Sequence, residues 1–314
     1  MLGEGSDRRA LAPSSHSGAA MPEERPPTGG VLIWKPVGPT SRRALEEAER
    51  LLGSGPLGHT GTLDPLAEGL LLLLGGEARK FQAQLTDHSK RYSAELILGE
   101  ESESLDAEGP LSCRVPRPRL PERAEIELAL DRFRGGYAQV PPRHSAVHVE
   151  GERAWRRARR GEAMEIAPRP VRIGRIEILE AEIPRLRLDI ECGPGTYIRS
   201  LVRDLGDALG AGAYLSALAR TGLGGFSAAD AAPLEGLSRR DWRPLEAILA
   251  ALPRLDVPPE LRDRLALGQR VPLPGLREER PAAGERVIWC EGVVVGLGEV
   301  KGGIIQPRRW RSAR

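Results

Sequence analysis

Cysteine is scarce in this chain, and its three cysteines lie far apart. Cys113, Cys192 and Cys290 follow neither a metal-binding nor a redox spacing, so we expect reduced thiols in a cytosolic protein. His144 and His148 are four residues apart, but on the strand expected there the pair makes no chelate without a third ligand. We therefore predict no metal site.

Long hydrophobic runs are also absent. The longest, residues 70–74, has the length of a buried strand, whereas a helix that crosses a bilayer needs about 20 apolar residues. The N-terminal segment is rich in Ser, Pro, Gly and charge and lacks the apolar core of a secretory signal. We expect a cytoplasmic protein with no membrane partner and a disordered leader at residues 1–28.

Lysine is rare as well: the chain has four lysines against 42 arginines. Where arginine has replaced lysine almost everywhere, a retained lysine indicates a position that needs a compact ammonium group. Lys35, Lys80 and Lys90 lie close together along the chain. Clusters of arginines occur at residues 153–160 and at 308–314, although the net charge of the chain is only +2. Such clusters predict a local polyanion-binding face. A solvated helix face is the alternative.

Hydrophobic periodicity predicts a mixed α/β core. Strands are expected at 30–34, 70–74, 91–98, 171–180 and 186–192, and helices at 42–52, 77–85, 122–133, 153–160, 197–209, 214–219, 245–251 and 260–267. Thr40 or Ser41 is expected to cap the first helix and Thr196 the helix at 197–209. Residues 99–118, acidic and then proline-rich, are interpreted as a surface connection. The strand-like texture after residue 255 predicts a small β domain.

The segment GHTGTLDPLAEG at 58–69 places one carboxylate, Asp64, in a glycine-rich loop directly before Pro65. Glycines let a backbone approach a ligand closely, and a following proline biases Asp64 toward an extended conformation. The pattern favours a carboxylate held out on a stiff loop, although an ordinary turn uses the same residue types.

Aromatic rings lie beside cations at Tyr92 and at Tyr197 with Arg199, and His59 adds an imidazole ring five residues before Asp64. Rings and arginines in this combination suit the unstacked bases and phosphates of folded RNA. Taken one at a time, each residue type favours a simpler interpretation: the tyrosines as core residues, Arg199 as a surface charge and His59 as a loop histidine.

Five motifs then occur in a fixed order: GHTGTLDPLAEG at 58–69, ARKF at 78–81, KRY at 90–92, GTYIRSLVRDLG at 195–206 and LART at 218–221. With these motifs the chain resembles the bacterial tRNA pseudouridine-55 synthases, the TruB family, over residues 30–226 and more weakly over 264–310. The resemblance implies a mixed, largely antiparallel pseudouridine-synthase catalytic domain with flanking helices at residues 29–250. A small PUA-like RNA-binding β domain is expected at 255–314.

The resemblance further implies the reaction. Such an enzyme isomerises uridine-55 to pseudouridine in the T-arm (TΨC loop) of tRNA, with the target base flipped out and with no cofactor or metal. Its partner is tRNA, with no obligatory protein partner, and a monomer is expected. Two alternatives stay open: an RNA-binding or tRNA-folding protein without turnover, and a guide-dependent synthase that acts on ribosomal RNA.

Site residues are carried over from the family motifs in the same way. Asp64 is expected to be the catalytic aspartate, Arg199 the cation that pairs with it, and Tyr92 the ring that stacks on the target base and acts in proton removal. The residues expected to bind substrate are His59, Lys80, Tyr92, Tyr197 and Leu218.

Overall fold

The computed structural model describes residues 27–113, 119–273 and 282–311, and a ten-stranded sheet dominates them. Its long strands are β1 (Gly29–Lys35), β2 (Ala67–Gly75), β3 (Lys90–Leu98), β4 (Ile173–Glu182), β5 (Arg185–Cys192) and β6 (Ala213–Leu223). Nearly all of the predicted leader at residues 1–28 lies outside the described residues, as does Arg314 of the second arginine cluster.

The long strands follow the order β4-β5-β3-β6-β2-β1 across the sheet. Neighbouring long strands are antiparallel, except that β6 and β2 are parallel. The short strands of this sheet are Gly58–His59, Phe226–Ser227, Ala232–Pro233 and Arg243–Pro244. The prediction of a mixed, largely antiparallel sheet is therefore confirmed.

Helices cover both faces of this sheet. They are α1 (Ser41–Leu52), α2 (Gln82–Thr86), α3 (Arg123–Leu130), α4 (Ala154–Arg159), α5 (Ile198–Leu209), α6 (Leu245–Leu249) and α7 (Pro259–Ala266), with a 3-10 helix at Gly76–Phe81 that leads into α2. Side chains of β1 alternate, so that Val31 and Ile33 pack against α1 and Leu32 packs toward α6. No helix in the described ranges is both long enough and apolar enough to cross a bilayer.

Helix α1 begins and ends where the sequence predicts. The Thr40 side chain accepts a hydrogen bond from the backbone N–H of Arg43 (3.2 Å) and so caps the first turn. Gly53 ends the helix in the left-handed conformation, with φ of 56°. Ser41, the other candidate cap, is buried and bonds to Leu63 instead.

Residues 214–219 are predicted to be helical, and this prediction is wrong. They belong to β6, which lies between β3 and β2 in the middle of the sheet. A bulge between Leu215 and Ala217 shifts the strand by one residue, so the buried positions step from Leu215 to Leu218. A three-residue step between apolar side chains is the spacing of a helix, and it conceals the alternation of a strand.

The prediction of a surface connection over residues 99–118 also needs correction. Two short strands, Glu101–Ser102 and Leu111–Ser112, pair with each other. Between them the chain runs against β6, where Ala107 N donates to Leu215 O (2.9 Å) and Leu215 N donates to Leu105 O (3.1 Å). Asp106 is consequently buried, with 2% of its surface exposed.

A five-stranded sheet forms the C-terminal part of the chain. It contains β7 (Arg254–Asp256), the short strand Val271–Pro272, β8 (Gly284–Cys290), β9 (Val293–Lys301) and β10 (Ile304–Trp310). Its side chains Val287, Trp289, Val294 and Leu297 belong to the same hydrophobic cluster as Leu70, Phe81 and Ile248 of the large sheet and its helices. The expected small β unit is present, and it shares a core with the rest of the chain.

Candidate active site

Asp64 lies in the loop between the short strand Gly58–His59 and β2. The loop is fixed from α1, because the Ser41 hydroxyl donates to Leu63 O (2.9 Å) and accepts from Leu63 N (2.8 Å). On the other side of the aspartate, Pro65 O accepts a hydrogen bond from Gly38 N (2.9 Å). The backbone on both sides of Asp64 is thus held, and its carboxylate projects from a rigid loop.

Arg199, in the first turn of α5, makes an ion pair with this carboxylate. Its Nε lies 2.9 Å from Asp64 Oδ2, and its Nη1 lies 3.4 Å from Asp106 Oδ2. The same guanidinium donates to Ser104 O (3.1 Å) and His144 O (3.0 Å). A planar fork with five donors is suited to such a set of acceptors.

Asp106 is the member of this arrangement that sequence reasoning missed. Acidic residues in a polar connection are normally solvated, and no motif singled this one out. Its Oδ1 also accepts hydrogen bonds from the Ser104 hydroxyl (2.5 Å) and from Glu108 N (3.2 Å). These bonds fix the Asp106 carboxylate, which pairs with Nη1 of Arg199 while Nε of the same guanidinium pairs with Asp64.

Gln139 fixes the start of α5. Its Oε1 accepts from Tyr197 N (2.9 Å), and its Nε2 donates to Tyr197 O (3.1 Å) and to Tyr137 Oη (2.6 Å). Thr196 does not cap the helix as predicted, because Tyr197 occupies the cap position; the Thr196 hydroxyl donates to Gly193 O (3.0 Å) within the preceding turn. An amide from outside the helix therefore positions the residue two places before Arg199.

A cavity of about 540 Å³ opens beside Asp64. Five of the predicted site residues line it: Asp64, Tyr92, Tyr197, Arg199 and Leu218. They come from a loop, from β3, from α5 and from β6, so the fold brings together residues that are far apart in the sequence. This volume suits a small ligand or a single nucleotide.

Two predicted substrate-binding residues, His59 and Lys80, lie outside this lining. His59 is half-buried on the strand next to β2, and its Nδ1 has no hydrogen-bond partner within the described ranges of the chain. Burial lowers the pKa of its imidazole, with Arg220 acting in the same direction. Lys80 instead pairs with Glu77 (2.5 Å) and donates to Trp310 O (2.9 Å), at the junction with the C-terminal sheet.

The other two lysines of this region are buried. Lys35 donates to Pro36 O (2.7 Å) and Pro39 O (2.8 Å), and burial lowers the pKa of Lys35 to about 8, although nearby Asp64 opposes this shift. Lys90 Nζ donates to Thr86 O (2.5 Å) and His88 O (2.7 Å). Burial likewise lowers the pKa of Lys90 to about 8. Backbone carbonyls, rather than carboxylates, bond to both ammonium groups.

Arg220 lines the cavity but was not selected from the sequence, although it lies within the LART motif. Its side chain is almost completely buried at the cavity wall. Its Nε donates to Leu70 O (2.7 Å) and its Nη2 to Gly61 O (3.1 Å). Burial raises the pKa of the neighbouring Tyr92 phenol, and the Arg220 charge opposes that rise.

The first arginine cluster is only partly available to a polyanion. Arg157 and Arg160 form ion pairs with glutamates of the same segment. Arg156 and Arg159 lie over the ring of Trp155, with guanidinium carbons 5.4 and 5.0 Å from its centroid. Trp155 also lines the cavity, which places this aromatic and cationic group at its mouth.

The remaining candidates do not extend the site. In the second arginine cluster, Arg308 pairs with Glu299 and Arg311 with Glu246 (3.2 Å). His144 lines the cavity and contributes its backbone carbonyl to Arg199. Within the part of the chain that the structure describes, no three side chains of the metal-ligating types converge.

Comparison with known proteins supplies independent information. A family model described as TruB family pseudouridylate synthase (N terminal domain) matches residues 49–198. The chain is 39% identical over 289 residues to the tRNA pseudouridine synthase B of Burkholderia lata, covering 90% of this chain and 89% of that protein. It is 40% identical over 289 residues to the protein of the same name from Thiobacillus denitrificans, covering 90% of this chain and 95% of that protein.

Solved structures share the fold at low sequence identity. A chain in a structure of an H/ACA RNP bound to a substrate RNA containing 2′-deoxyuridine superposes with a TM-score of 0.69 at 20% identity, covering 95% of this chain and 93% of that one. A chain of a Cbf5-Nop10-Gar1 complex gives a TM-score of 0.67 at 24% identity, covering 90% and 84%. At these identities the likeness concerns the fold alone, and it confirms the predicted fold class.

Proposed function

Because this chain belongs to the TruB family of tRNA pseudouridine synthases, we propose that it isomerises uridine-55 to pseudouridine in the T-arm of tRNA, with Asp64 as its catalytic carboxylate. One observation carries the assignment of the site. Asp64 is paired with a buried arginine, at 2.9 Å, in a cavity that two tyrosines also line.

The reaction explains why a single carboxylate suffices. A glycosidase uses two, because its leaving alkoxide must be protonated while a second carboxylate stabilises the sugar cation. Uracil leaves as an anion whose charge spreads over two carbonyl groups, so it needs less acid assistance. One carboxylate then attacks or stabilises the electron-poor ribose carbon, and the ion pair with Arg199 holds that carboxylate in position.

The roles of the other cavity residues are carried over from the family motifs that contain them. Tyr92 stacks on the uracil ring and takes part in proton removal from the rearranged nucleoside, and Tyr197 and Leu218 form the walls of the nucleotide pocket. The target base must leave the RNA stack, at a cost of a few kcal/mol. His59 lies outside the cavity, and burial lowers the pKa of its imidazole. We assign its ring to stacking in the space that the flipped base leaves.

The large sheet with its helices, residues 29–250, carries out the chemistry in this proposal, and the C-terminal unit, residues 255–314, is a PUA-like RNA-binding domain. Lys80, at the junction of the two, contributes to substrate binding through the alignment of the C-terminal sheet with the cavity. The enzyme acts as a cytoplasmic monomer and needs neither a guide RNA nor an obligatory protein partner.

The test uses the purified full-length chain alone with an unmodified tRNA transcript. We expect stoichiometric pseudouridine at position 55, detected by carbodiimide modification and primer extension. Asp64→Asn should abolish pseudouridine formation while binding of the T-arm stem-loop persists. Glu68→Gln is the matched control, since this carboxylate lies on β2 outside the cavity, where it accepts a hydrogen bond from Trp34 Nε1 (3.3 Å).

Each alternative gives a different result in the same experiment. Binding of tRNA without any pseudouridine would identify a non-catalytic RNA-binding protein. Activity that appears only after a guide RNA is added would identify a guide-dependent synthase. Retained turnover in Asp64→Asn would remove this carboxylate from the mechanism.

A further inference from the structure

Arg220 is a buried cation with no counter-ion among the residues that the structure describes. Only 1% of its surface is exposed, and in the described parts of the chain no carboxylate makes an ion pair with it. Arg199, the other buried arginine of the cavity, has two carboxylate partners. An uncompensated buried charge is costly to a protein, so its presence at a cavity wall calls for a chemical reason.

The strand register fixes this side chain in place. In β6, Arg220 lies directly across from Tyr92 of β3 on one side and from Gly69 of β2 on the other. A Cβ atom at Gly69 would lie 2.3 Å from Arg220 O, so only glycine allows the two strands to approach as they do. The bonds to Leu70 O and Gly61 O satisfy donors of the guanidinium but leave its positive charge intact.

That charge acts on the Tyr92 phenol. Tyr92 is buried, and the charged and titratable groups around its phenol are Arg220, Cys192 and Asp64. Burial disfavours the phenolate, and among these groups Arg220 alone acts in the opposite direction. The Lys90 ammonium, on the same strand, is bonded to the carbonyls of Thr86 and His88 instead.

We propose that Arg220 is a positioning residue that acts through Tyr92. Its guanidinium holds the phenol at the cavity wall and supplies the positive charge that stabilises the phenolate during proton removal. This inference rests on the proposed function, because it concerns the step after C5 of the uracil has bonded to C1′.

In that step the C5–H bond breaks and its proton passes to the phenolate oxygen of Tyr92. The electron pair of that bond forms the C5=C6 double bond, and the pair of the N1=C6 bond moves to N1, which takes a proton from water. The phenol later returns its proton to water. Atoms and electrons balance without an oxidant or a reductant, as an isomerisation requires.

The test measures single-turnover rates on a T-arm stem-loop whose target uridine carries hydrogen or deuterium at C5. At saturating RNA we expect Arg220→Gln to slow pseudouridine formation by roughly 10²-fold, within the range of acid–base contributions. Its deuterium isotope effect should exceed that of the wild type, because proton removal then limits the rate. Arg220→Lys keeps the positive charge. Its single-turnover rate and its deuterium isotope effect should therefore lie between those of the wild type and those of Arg220→Gln.

Two further variants separate this role from a structural one. Arg91→Gln is the matched control, because Arg91 neighbours Tyr92 on the same strand but its guanidinium bonds to Asp189 (2.9 Å), away from the cavity; it should keep the wild-type isotope effect. In a Tyr92→Phe background, Arg220→Gln should cause little further loss, since the two residues act as a unit.

The inference is overturned if the Arg220 variants lose rate with an unchanged isotope effect, or if their loss adds fully to that of Tyr92→Phe. Circular dichroism and RNA affinity verify the fold of each variant, and Arg220→Lys carries the isotope measurement if Arg220→Gln does not fold. Wild-type turnover that Asp64→Asn abolishes establishes the proposed function separately, so the two failures are distinguishable.

Discussion

The side chain of Arg199 is 6% exposed, whereas the side chain of Asp64, whose carboxylate it contacts at 2.9 Å, is 37% exposed. The cation is therefore part of the protein interior, and the anion faces the cavity. Ion pairs of this kind contribute little net stability, because desolvation offsets the attraction. The arrangement is better understood as a rigid support that aims one carboxylate at a ligand.

Replacing Arg199 by lysine should impair catalysis more than RNA binding. A single ammonium cannot reach Asp64, Asp106 and the carbonyls that the planar fork contacts together. Misplacement of a reacting group by about 1 Å costs roughly 10²-fold in rate, and we expect a loss of that size in single-turnover experiments. A loss confined to the affinity for the T-arm stem-loop would contradict the assigned role.

Asp106→Asn should produce a smaller defect of the same kind. The amide keeps the shape of the side chain but removes one of the two negative charges that flank Arg199. We expect a rate reduced by about 10-fold, equivalent to roughly 1.4 kcal/mol, with unchanged RNA affinity by filter binding. Asp131→Asn, which alters only an exposed partner of Arg134, is the control, and equal rates for the two variants would refute the prediction.

The buried ammonium of Lys90 should make stability depend on pH in the alkaline range. Burial lowers its folded-state pKa to about 8 from 10.5, so between these values the unfolded chain binds more protons and stability rises with pH. Relative to Lys90→Met, the wild type should gain on the order of 3 kcal/mol between pH 8 and pH 10.5. Urea unfolding of both proteins at a series of pH values measures this difference, and a difference that stays constant between pH 8 and pH 10.5 would contradict the prediction.

Thiol reactivity should distinguish the three cysteines. Cys113 is exposed, whereas Cys192 and Cys290 are buried, and burial raises the pKa of the Cys192 thiol to about 11. A thiolate-directed reagent should label one thiol per folded chain at neutral pH and all three after denaturation. Rapid labelling of Cys192 in the folded protein would show that the strand next to β3 is not packed as described.

Gly69→Ala should destabilise the protein severely, by more than about 4 kcal/mol. The new methyl group would meet the backbone of Arg220 at 2.3 Å, at a residue whose φ of 115° disfavours any side chain. Gly210→Ala is the matched control, because Gly210 also has a positive φ, of 65°, but has no atom within 4 Å of the added carbon. We expect it to cost about 1–2 kcal/mol in urea unfolding, and similar values for both variants would contradict the close approach of β2 and β6.

Sequence reasoning succeeded where a local signal controls the structure. The apolar run at 70–74 becomes the buried strand β2, and Thr40 with Gly53 bounds α1. It failed at 214–219, because a bulge produced helical spacing inside a strand. It also failed at Thr196, because α5 begins one residue later than predicted and Tyr197 occupies the cap position.

The site divides in the same way. Family motifs pointed to Asp64, Tyr92, Tyr197, Arg199 and Leu218, which the fold brings to one cavity. They did not indicate that Lys80 lies outside this cavity, because a motif identifies a residue type but not the direction of its side chain in the fold. Asp106 and Arg220 were missed because their importance depends on burial and on contacts with β6 and α5, which no local pattern encodes.

The hydrophobic cluster shared by the C-terminal sheet and the large sheet has a consequence for how this chain can be dissected. Val287, Trp289, Val294 and Leu297 cover apolar side chains of β2 and α6. Truncating the chain before residue 254 would remove these side chains. Apolar side chains of β2, the strand that follows the Asp64 loop, would then be exposed to solvent. The C-terminal unit therefore stabilises the large sheet, in addition to being a candidate RNA-binding domain. On heating, the C-terminal sheet and the large sheet should unfold together in one transition.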